Sequence, residues 1–447
     1  MDSYNQKLFP VKLSLQLKIV ISLLMCISIA IPSQGQQAPN IILIMADDLG
    51  YEVLPAYGNT FHHTPALDRM AAAGMVFENA HATPLCTPSR VQLMTGKYNF
   101  RNYIGFGLLD PTEKTMAQWL KEQGYNTCVV GKWQLYGNAR QQELAGGKVG
   151  SLPEEAGFDA YRLWQVKELG SRYKDPLLDS KEKGLEKFEG KYGPDLFTEY
   201  LEDFVEAQDG QPFFAYYPMA LTHDPFEPYP GSPDFASYDP KDRINDPKYF
   251  PGMVSHMDKL VGRIIDKVED LGLAENTLIL FVGDNGTDRD VVTPFKGQDL
   301  RGNKGYTNDL GTHVPLLAYW PGTIKAGIRN ANLIDLTDFL PTLLQVSGKD
   351  PADLPDPIDG ISFYPQLKDS GYSGEVREWV FCHYAPNWGN FTPRTFVYNT
   401  HWKYYANGEI FNLSEDPLET RPLIFSELNN EGKKTIQKFR KVVKEMK

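Results

Sequence analysis

The sequence predicts an α/β fold in which a mainly parallel sheet is flanked by helices. Short apolar runs with the length of strands recur between segments whose apolar residues have helical spacing. The runs lie at residues 41–45, 127–130, 213–217, 278–282 and 316–320, and helices are predicted at 65–73, 115–123, 193–207 and 252–271. This alternation favours parallel strands joined by helical crossovers.

After about residue 345 the pattern changes, which indicates a small C-terminal subdomain. A loop rich in Pro and Asp is followed by four short aromatic segments, at 380–384, 395–398, 401–405 and 409–413. These segments predict an antiparallel sheet, and a charged helix over 429–446 closes the chain. We therefore expect a catalytic domain over residues 36–345 and a subdomain over 346–447.

The N-terminal segment is typical of a signal peptide over residues 1–35. Three lysines precede an apolar run over 19–31 that is too short to span a bilayer. Cys26 lies inside this run without small residues before it, which argues against a lipoprotein anchor. We expect export to the periplasm or the extracellular space, with no stable membrane anchor.

The charge and the cysteine content restrict the function further. The formal net charge is −12, and removal of residues 1–35 would make it −14, so a general affinity for nucleic acid is excluded. An anionic substrate would have to be held by a few local cations and a metal.

Only three cysteines remain after export, namely Cys86, Cys128 and Cys382. Three cysteines do not form a disulfide framework, and at least one thiol is left to explain.

Polar side chains follow four of the predicted strands. They are Asp47 and Asp48, Lys132, His223, and Asp284 and Asn285. Taken singly, each is better explained as a helix cap or a turn residue. Because the carboxyl ends of parallel strands meet at one crevice, their shared position predicts one common site.

Four of these residues predict a metal site with oxygen ligands. Asp47, Asp48, Asp284 and Asn285 offer carboxylate and amide oxygens, which suit Ca²⁺ or Mg²⁺ better than zinc. Several carboxylates with an amide favour calcium, which accepts more ligands and looser geometry. Without a cation, three crowded carboxylates would repel one another.

Cys86 precedes a predicted helix that begins near Pro88, carries Arg90 in its first turns and ends at Gly96. A helix N-terminus favours anions and lowers the pKa of a thiol, so the pattern permits a nucleophilic cysteine. A cysteine that merely precedes a capped helix is the alternative.

The segment Cys86-Thr-Pro-Ser-Arg90, continued through Leu-Met-Thr-Gly96, closely resembles the signature of type I sulfatases. In that family a maturation enzyme oxidises the cysteine to formylglycine. Further segments resemble the family in the same order along the chain, at 40–50, 63–68, 131–133, 222–225, 283–286, 302–305 and 314–315.

The resemblance implies an alkaline-phosphatase-like fold and removal of sulfate from a sulfated carbohydrate. It also implies roles for the site residues. Asp47, Asp48, Asp284, Asn285 and the modified Cys86 would bind calcium, Arg90 would hold the formylglycine, and Lys132, His223 and Lys304 would surround the sulfate. One hydroxyl of hydrated formylglycine would attack sulfur, the other would collapse to expel sulfate, and His223 would protonate the leaving alcohol.

Two departures from the family pattern and two alternatives stay open. Gln134 stands where the family usually has His, and Gln cannot take up a proton near neutral pH, so we expect it to bind substrate. Asp309 and Leu310 replace a common Glu-Gly.

A formylglycine-dependent phosphodiesterase or phosphonate monoester hydrolase fits the same pocket, and Gln134 also permits a sulfoglycan-binding protein without catalysis. Aromatic stretches at 98–106 and 383–391 either line a sugar-binding mouth or pack in the core.

Overall fold

The computed structural model describes residues 38–446, and its main element is a ten-stranded sheet. The first twelve strands are β1 (Asn40–Ala46), β2 (Met75–His81), β3 (Asn126–Lys132), β4 (Ala160–Trp164), β5 (Leu177–Ser180), β6 (Gly184–Lys187), β7 (Phe213–Pro218), β8 (Thr277–Gly283), β9 (Val292–Phe295), β10 (Gln298–Arg301), β11 (His313–Tyr319) and β12 (Ile328–Asp335). Strands β9 and β10 form a separate hairpin, and the others lie in the order β12-β2-β11-β8-β1-β7-β3-β4-β5-β6.

Helices cover both faces of this sheet. They are α1 (Pro65–Ala73), α2 (Cys86–Thr95), α3 (Asn99–Asn102), α4 (Met116–Glu122), α5 (Ala139–Leu144), α6 (Gly193–Glu206), α7 (Phe250–Asp270), α8 (Asp309–Thr312), α9 (Phe339–Val346), α10 (Tyr364–Lys368) and α11 (Asn430–Glu445). Alternate residues of β1 enter two different cores: Ile41 and Leu43 pack with α2, α4 and α9, whereas Ile42 and Ile44 pack with α1, α6 and α7. A strand buried on both faces explains why β1 is apolar throughout.

A second sheet is formed near the C-terminus. Its four antiparallel strands are β13 (Val380–Tyr384), β14 (Arg394–Tyr398), β15 (Trp402–Tyr405) and β16 (Ile410–Asn412). Helix α11 packs on β14 and β15 through Ile436 and Phe439. The predicted small antiparallel sheet with its closing helix is therefore confirmed, while the boundary at residue 345 stays a prediction.

The five predicted strands of the main sheet are present, but one of them runs in the opposite direction. Strands β8, β1, β7 and β3 are adjacent and parallel, whereas β11 is antiparallel to both β8 and β2. The segment between β8 and β11 stays at the carboxyl end of β8, so the chain re-enters the sheet from that same edge. The fold is α/β and mainly parallel, as predicted.

The predicted signal peptide, residues 1–35, lies outside the described residues. From residue 38 to residue 446, no helix combines the length and the apolar character needed to cross a membrane.

Candidate active site

Two neighbouring parallel strands place the predicted metal ligands side by side. Asp47 and Asp48 follow β1 directly, and Asp284 and Asn285 follow its partner β8. The ladder continues past the strand ends, since the N–H of Asp284 donates to the carbonyl of Ala46 at 3.0 Å. All four residues are fully buried, so the structure brings them together as predicted.

The loops after other strands deliver the basic groups. Lys132 is the last residue of β3, His223 lies in the loop after β7, and Lys304 lies between β10 and α8. The backbone N–H of Thr222 donates to the carbonyl of Asp47 at 2.7 Å. This bond fixes the loop that carries His223 against the end of β1.

Ion pairs balance the buried carboxylates one by one. The pairs are Lys132 Nζ with Asp47 Oδ2 at 2.7 Å, Lys304 Nζ with Asp48 Oδ2, and Arg90 Nη2 with Asp284 Oδ2 at 3.1 Å. Burial, together with the charge of Asp47, raises the pKa of Asp284 to about 8. Burial acts in the same direction on Asp47, but Lys132 and the other cations outweigh it and lower its pKa. The two carboxylates thus differ sharply in their readiness to ionise.

The oxygen atoms at this position suit a calcium ion. The ligand atoms of Asp47, Cys86 and Asp284 all lie within 4.8 Å of one another. Within residues 38–446, Asp47 Oδ1 and Asn285 Oδ1 are buried and have no hydrogen-bond partner, which is costly unless another group binds them. Carboxylate and amide oxygens are ligands that calcium prefers. The residues present therefore fit the predicted ion.

Cys86 is the first residue of α2, two positions earlier than the predicted helix start at Pro88. Pro88 is tolerated there because the N–H groups of the first helical turn have no hydrogen-bond partner within the helix, so the missing N–H of proline costs no bond. Gly96, with φ of 66°, ends the helix. Burial raises the pKa of the Cys86 thiol although Lys132 opposes the effect. Burial thus opposes the lowering that a helix N-terminus would bring, and the thiolate is disfavoured.

Gln134 contacts the cysteine directly. The Sγ of Cys86 donates to Gln134 Oε1 at 3.4 Å, and Gln134 is 8% exposed. Its backbone is in the left-handed region, with φ of 49°, which is uncommon for a residue other than Gly. The residue that departs from the family pattern is therefore held beside Cys86.

His223 has its two ring nitrogens in different surroundings. Nδ1 lies 2.6 Å from the carbonyl of Asp224 and 2.9 Å from its Oδ1, and both of these oxygens are acceptors. Nδ1 therefore carries a proton, and Nε2 is the nitrogen that lies 3.1 Å from Lys304 Nζ. Burial would raise the pKa of Asp224, but His223 outweighs it and lowers the pKa. Asp224 thus orients His223.

A cavity of about 620 Å³ opens onto this group. Cys86, Lys132, His223 and Lys304 line it. Its wall also contains residues from the two aromatic stretches, namely Phe106, Trp388 and Phe391. The rings of Phe106 and Trp388 are stacked, with centroids 4.7 Å apart and planes at 10°. The cavity therefore has a charged floor and an aromatic side.

Comparison with known proteins identifies the family. A family model described as Sulfatase matches residues 39–349. The chain belongs to the sulfatase family. A second model, described as N-sulphoglucosamine sulphohydrolase, C-terminal, matches residues 303–446. The protein is a sulfatase, a hydrolase of sulfate esters.

Relatives of this sulfatase match it over most of its length. N-acetylgalactosamine-6-sulfatase of Mus musculus is 28% identical and covers 92% of this chain and 86% of its own. Arylsulfatase A of Bos taurus is 30% identical over 87% of this chain and 84% of its own. A structure solved with its substrate D-glucosamine-2-N,6-O-disulfate superimposes with a TM-score of 0.73 at 20% identity, over 92% of this chain and 97% of the other. The alkaline-phosphatase-like fold is confirmed.

Several residues of the sulfatase cavity were not singled out from the sequence. Asp224 adjoins His223 in the sequence, so its place in the site was readable there. Arg172 and Trp164 lie far from any recognised segment, and no sequence signal placed them at the cavity. The small sheet also supports the site, since Tyr384 Oη donates to the carbonyl of Gly305 at 3.1 Å.

Proposed function

We propose that this sulfatase removes sulfate from a sulfated carbohydrate, with a formylglycine formed from Cys86 as nucleophile and with bound calcium. The observation that carries the proposal is the position of Cys86. It begins a helix at the floor of the cavity, within 4.8 Å of ligand atoms of Asp47 and Asp284, and Lys132 and His223 line the same cavity.

Asp47, Asp48, Asp284, Asn285 and the modified residue 86 would hold the calcium ion. When bound, calcium lowers the pKa of a coordinated hydroxyl and stabilises negative charge. Formylglycine, once hydrated, would supply two hydroxyl groups: one as the nucleophile, and a second whose loss of a proton would re-form the aldehyde and release sulfate. The raised pKa of the Cys86 thiol supports a nucleophile other than the thiolate.

The basic residues bind and orient the sulfate in an otherwise acidic protein. Lys132 and Lys304 line the cavity and bring positive charge to it, and Arg90, 1% exposed, donates through Nη1 to the carbonyl of Lys132 at 3.0 Å. This bond holds the end of β3 in place. Preorganised cations of this kind stabilise charge on the sulfuryl oxygens. His223, with its Nδ1 proton held by Asp224, would protonate the leaving alcohol from Nε2 in its doubly protonated form.

The aromatic side of the cavity supports a sugar as the group that carries the sulfate. The stacked pair of Phe106 and Trp388 offers flat apolar faces, against which the apolar faces of sugar rings pack well. Relatives named for N-acetylgalactosamine 6-sulfate and a structural neighbour with a glucosamine disulfate support the same substrate class.

We also propose that the protein is exported and modified during its biogenesis. A signal peptide over residues 1–35 would direct the chain to the periplasm or the extracellular space, and a formylglycine-generating enzyme would act on Cys86. The mature chain would then comprise the catalytic domain (36–345) and the subdomain (346–447).

Turnover of paired aryl esters tests the reaction class. We expect the protein, made together with its maturation enzyme, to hydrolyse 4-nitrophenyl sulfate much faster than bis(4-nitrophenyl) phosphate. Preference for the phosphodiester would support the phosphodiesterase alternative, and no turnover of either ester would support a binding protein. A screen of sulfated saccharides for released sulfate would then identify the sugar.

Replacing His223 with alanine is expected to reduce kcat by roughly a hundredfold or more on a saccharide sulfate, because an alcohol is a poor leaving group and needs a proton. On 4-nitrophenyl sulfate the expected loss is smaller, since nitrophenolate leaves without protonation. Steady-state kinetics on both substrates measure the difference. Equal losses on the two substrates would exclude a role in leaving-group protonation.

Replacing Gln134 with alanine is expected to reduce kcat by less than roughly tenfold. Gln134 accepts one hydrogen bond from residue 86, and a neutral hydrogen bond contributes on the order of 1 kcal/mol. Its loss should act mainly on KM if the amide also contacts the substrate. A loss of kcat as large as that of His223→Ala would show instead that Gln134 holds the nucleophile.

A further inference from the structure

One arginine of the cavity wall is not part of the ion-pair network described above. Arg172 lines the same cavity as Cys86 and His223. Its Nη1 is buried and has no hydrogen-bond partner within the part of the chain that the structure describes. A buried N–H group without an acceptor is costly, so native structures nearly always provide one. A ligand in the cavity is a natural source of this acceptor.

The guanidinium group is held in a defined position. Its Cζ lies 4.2 Å from the centre of the Trp164 ring, and Trp164 is only 4% exposed. Trp164 Nε1 in turn donates to the carbonyl of Gly170 at 2.8 Å. A stacked guanidinium loses little freedom when it binds, and its planar fork matches the two oxygens of a carboxylate or a sulfate.

The backbone next to Arg172 is tied to the loop that carries the proposed acid. The single hydroxyl proton of Tyr173 is shared between two carbonyl acceptors, that of His223 at 2.5 Å from Oη and that of Ala220 at 2.8 Å. The N–H of Gly193 donates to the carbonyl of Tyr173 at 2.8 Å. Arg172 is therefore fixed relative to His223, and its position belongs to the rigid frame of the site.

The charge balance of the cavity leaves Arg172 available. Lys132 and Lys304 are paired with Asp47 and Asp48 on the floor. The acidic residue that lines the cavity, Asp224, bonds His223 through Oδ1 at 2.9 Å. The scissile sulfate monoester carries one negative charge, which Lys132, Lys304 and the calcium ion of the proposed function would bind on the floor. Asp224 and Glu227 are near enough for the charge of Arg172 to act on them, but among the described residues neither forms an ion pair or a hydrogen bond with it, so its N–H donors remain available to a ligand.

We propose that Arg172 binds a second anionic group of the substrate, a carboxylate or a second sulfate, on the sugar that carries the scissile sulfate or on its neighbour. The proposal rests on the proposed function and narrows its substrate class to saccharides with at least two anionic groups. Arg172 would act on specificity through binding and would take no part in bond cleavage.

The test compares substrates with one and two anionic groups in wild-type protein and in Arg172→Gln. The saccharides are N-acetylgalactosamine 6-sulfate, its 4,6-disulfate, and the 6-sulfated chondroitin disaccharide that carries a carboxylate. We expect Arg172→Gln to raise KM about 10- to 100-fold for the substrates with two anionic groups, with little change in kcat, because a charge-assisted hydrogen bond is lost. KM for the substrate with one anionic group should change less than about threefold. Comparing the disulfate with the carboxylate disaccharide shows which anion is bound.

Arg162 provides a matched control. Its Cζ lies 4.8 Å from the centre of the Tyr200 ring, its Nε is also buried without a partner among the described residues, and it lines a different cavity. Arg162→Gln should leave both KM values unchanged. Arg172→Lys, which keeps the charge but not the planar fork, should have an intermediate effect on substrates with two anionic groups.

Two results would overturn the proposal: an equal effect of Arg172→Gln on all substrates, or a wild-type preference for the substrate with one anionic group. If only this proposal fails, the wild-type protein still hydrolyses 4-nitrophenyl sulfate. If the proposed function fails, that hydrolysis is absent as well. If the saccharides bind without being hydrolysed, their inhibition constants against 4-nitrophenyl sulfate give the same comparison.

Discussion

Replacing Cys86 with alanine is expected to abolish sulfate release, with a loss on the order of 10⁴-fold or more, because it removes the nucleophile and the group that the maturation enzyme modifies. Cys86 is 2% exposed at the first position of α2, so alanine leaves the helix intact. The protein should still fold, with a melting temperature close to that of the wild type. Sulfate release and thermal denaturation measure the two effects separately.

Cys128 and Cys382 are matched controls, since both are buried and neither forms a disulfide. Neither residue lines the cavity of the site. Cys128→Ala and Cys382→Ala should therefore keep most of the activity. Mass spectrometry of the peptide spanning position 86 should find formylglycine in active wild-type protein. Fully active protein that contains only the unmodified thiol would disprove the proposed nucleophile.

The sequence predicted the position of the site because several of its residues directly follow buried strands. A strand that is buried on both faces is apolar throughout, so the polar residue that ends it is visible in the sequence, as at Asp47 and Asp284. Parallel neighbours place such residues at one edge. The family signature then added Arg90 and Lys304, which do not follow an apolar run.

The rest of the site depends on contacts between segments that are distant along the chain, and such contacts leave no periodic pattern in the sequence. Phe106 and Trp388 stack across more than half of the chain, and Arg172 stacks on Trp164 through a loop with no recognisable pattern. The direction of β11 depends on where the preceding loop ends. The effect of burial on the thiol pKa of Cys86 could not be predicted either, because the sequence does not show how far this side chain is covered.

The ion pairs of the site change what calcium is expected to do for stability. The three carboxylates were expected to repel one another in the absence of a metal. In the structure each has a protein cation: Lys132 pairs with Asp47, Lys304 with Asp48 and Arg90 with Asp284. Protein cations therefore offset the carboxylate charge without calcium, and the raised pKa of Asp284 reduces that charge further, so we expect the metal-free protein to remain folded.

Removal of calcium is accordingly expected to affect activity far more than stability. Activity should fall on the order of 10³-fold, because the charge stabilisation that a metal provides at the reacting group is lost. Calcium at about 100 times its dissociation constant contributes about 2.7 kcal/mol, which shifts the melting temperature of a chain of this size by about 3 °C. Calorimetry and sulfate release, both measured before and after chelation and again after calcium is restored, test the two expectations together.

Two variants distinguish a specific calcium site from a general effect of buried acids. Asn285→Ala removes an amide oxygen that is buried without a partner, so the calcium-dependent shift in melting temperature should be lost. Asp258→Asn alters a buried carboxylate in α7 that accepts from the N–H groups of Ala66 and Leu67 at 3.0 and 2.8 Å. It should destabilise the protein but keep the calcium-dependent shift in melting temperature, because Asp258 lies outside the proposed ligand set.

Full activity after exhaustive chelation, or recovery with zinc alone, would contradict the ligand assignment. The buried oxygens that lack hydrogen-bond partners are hard donors, which suit calcium better than zinc.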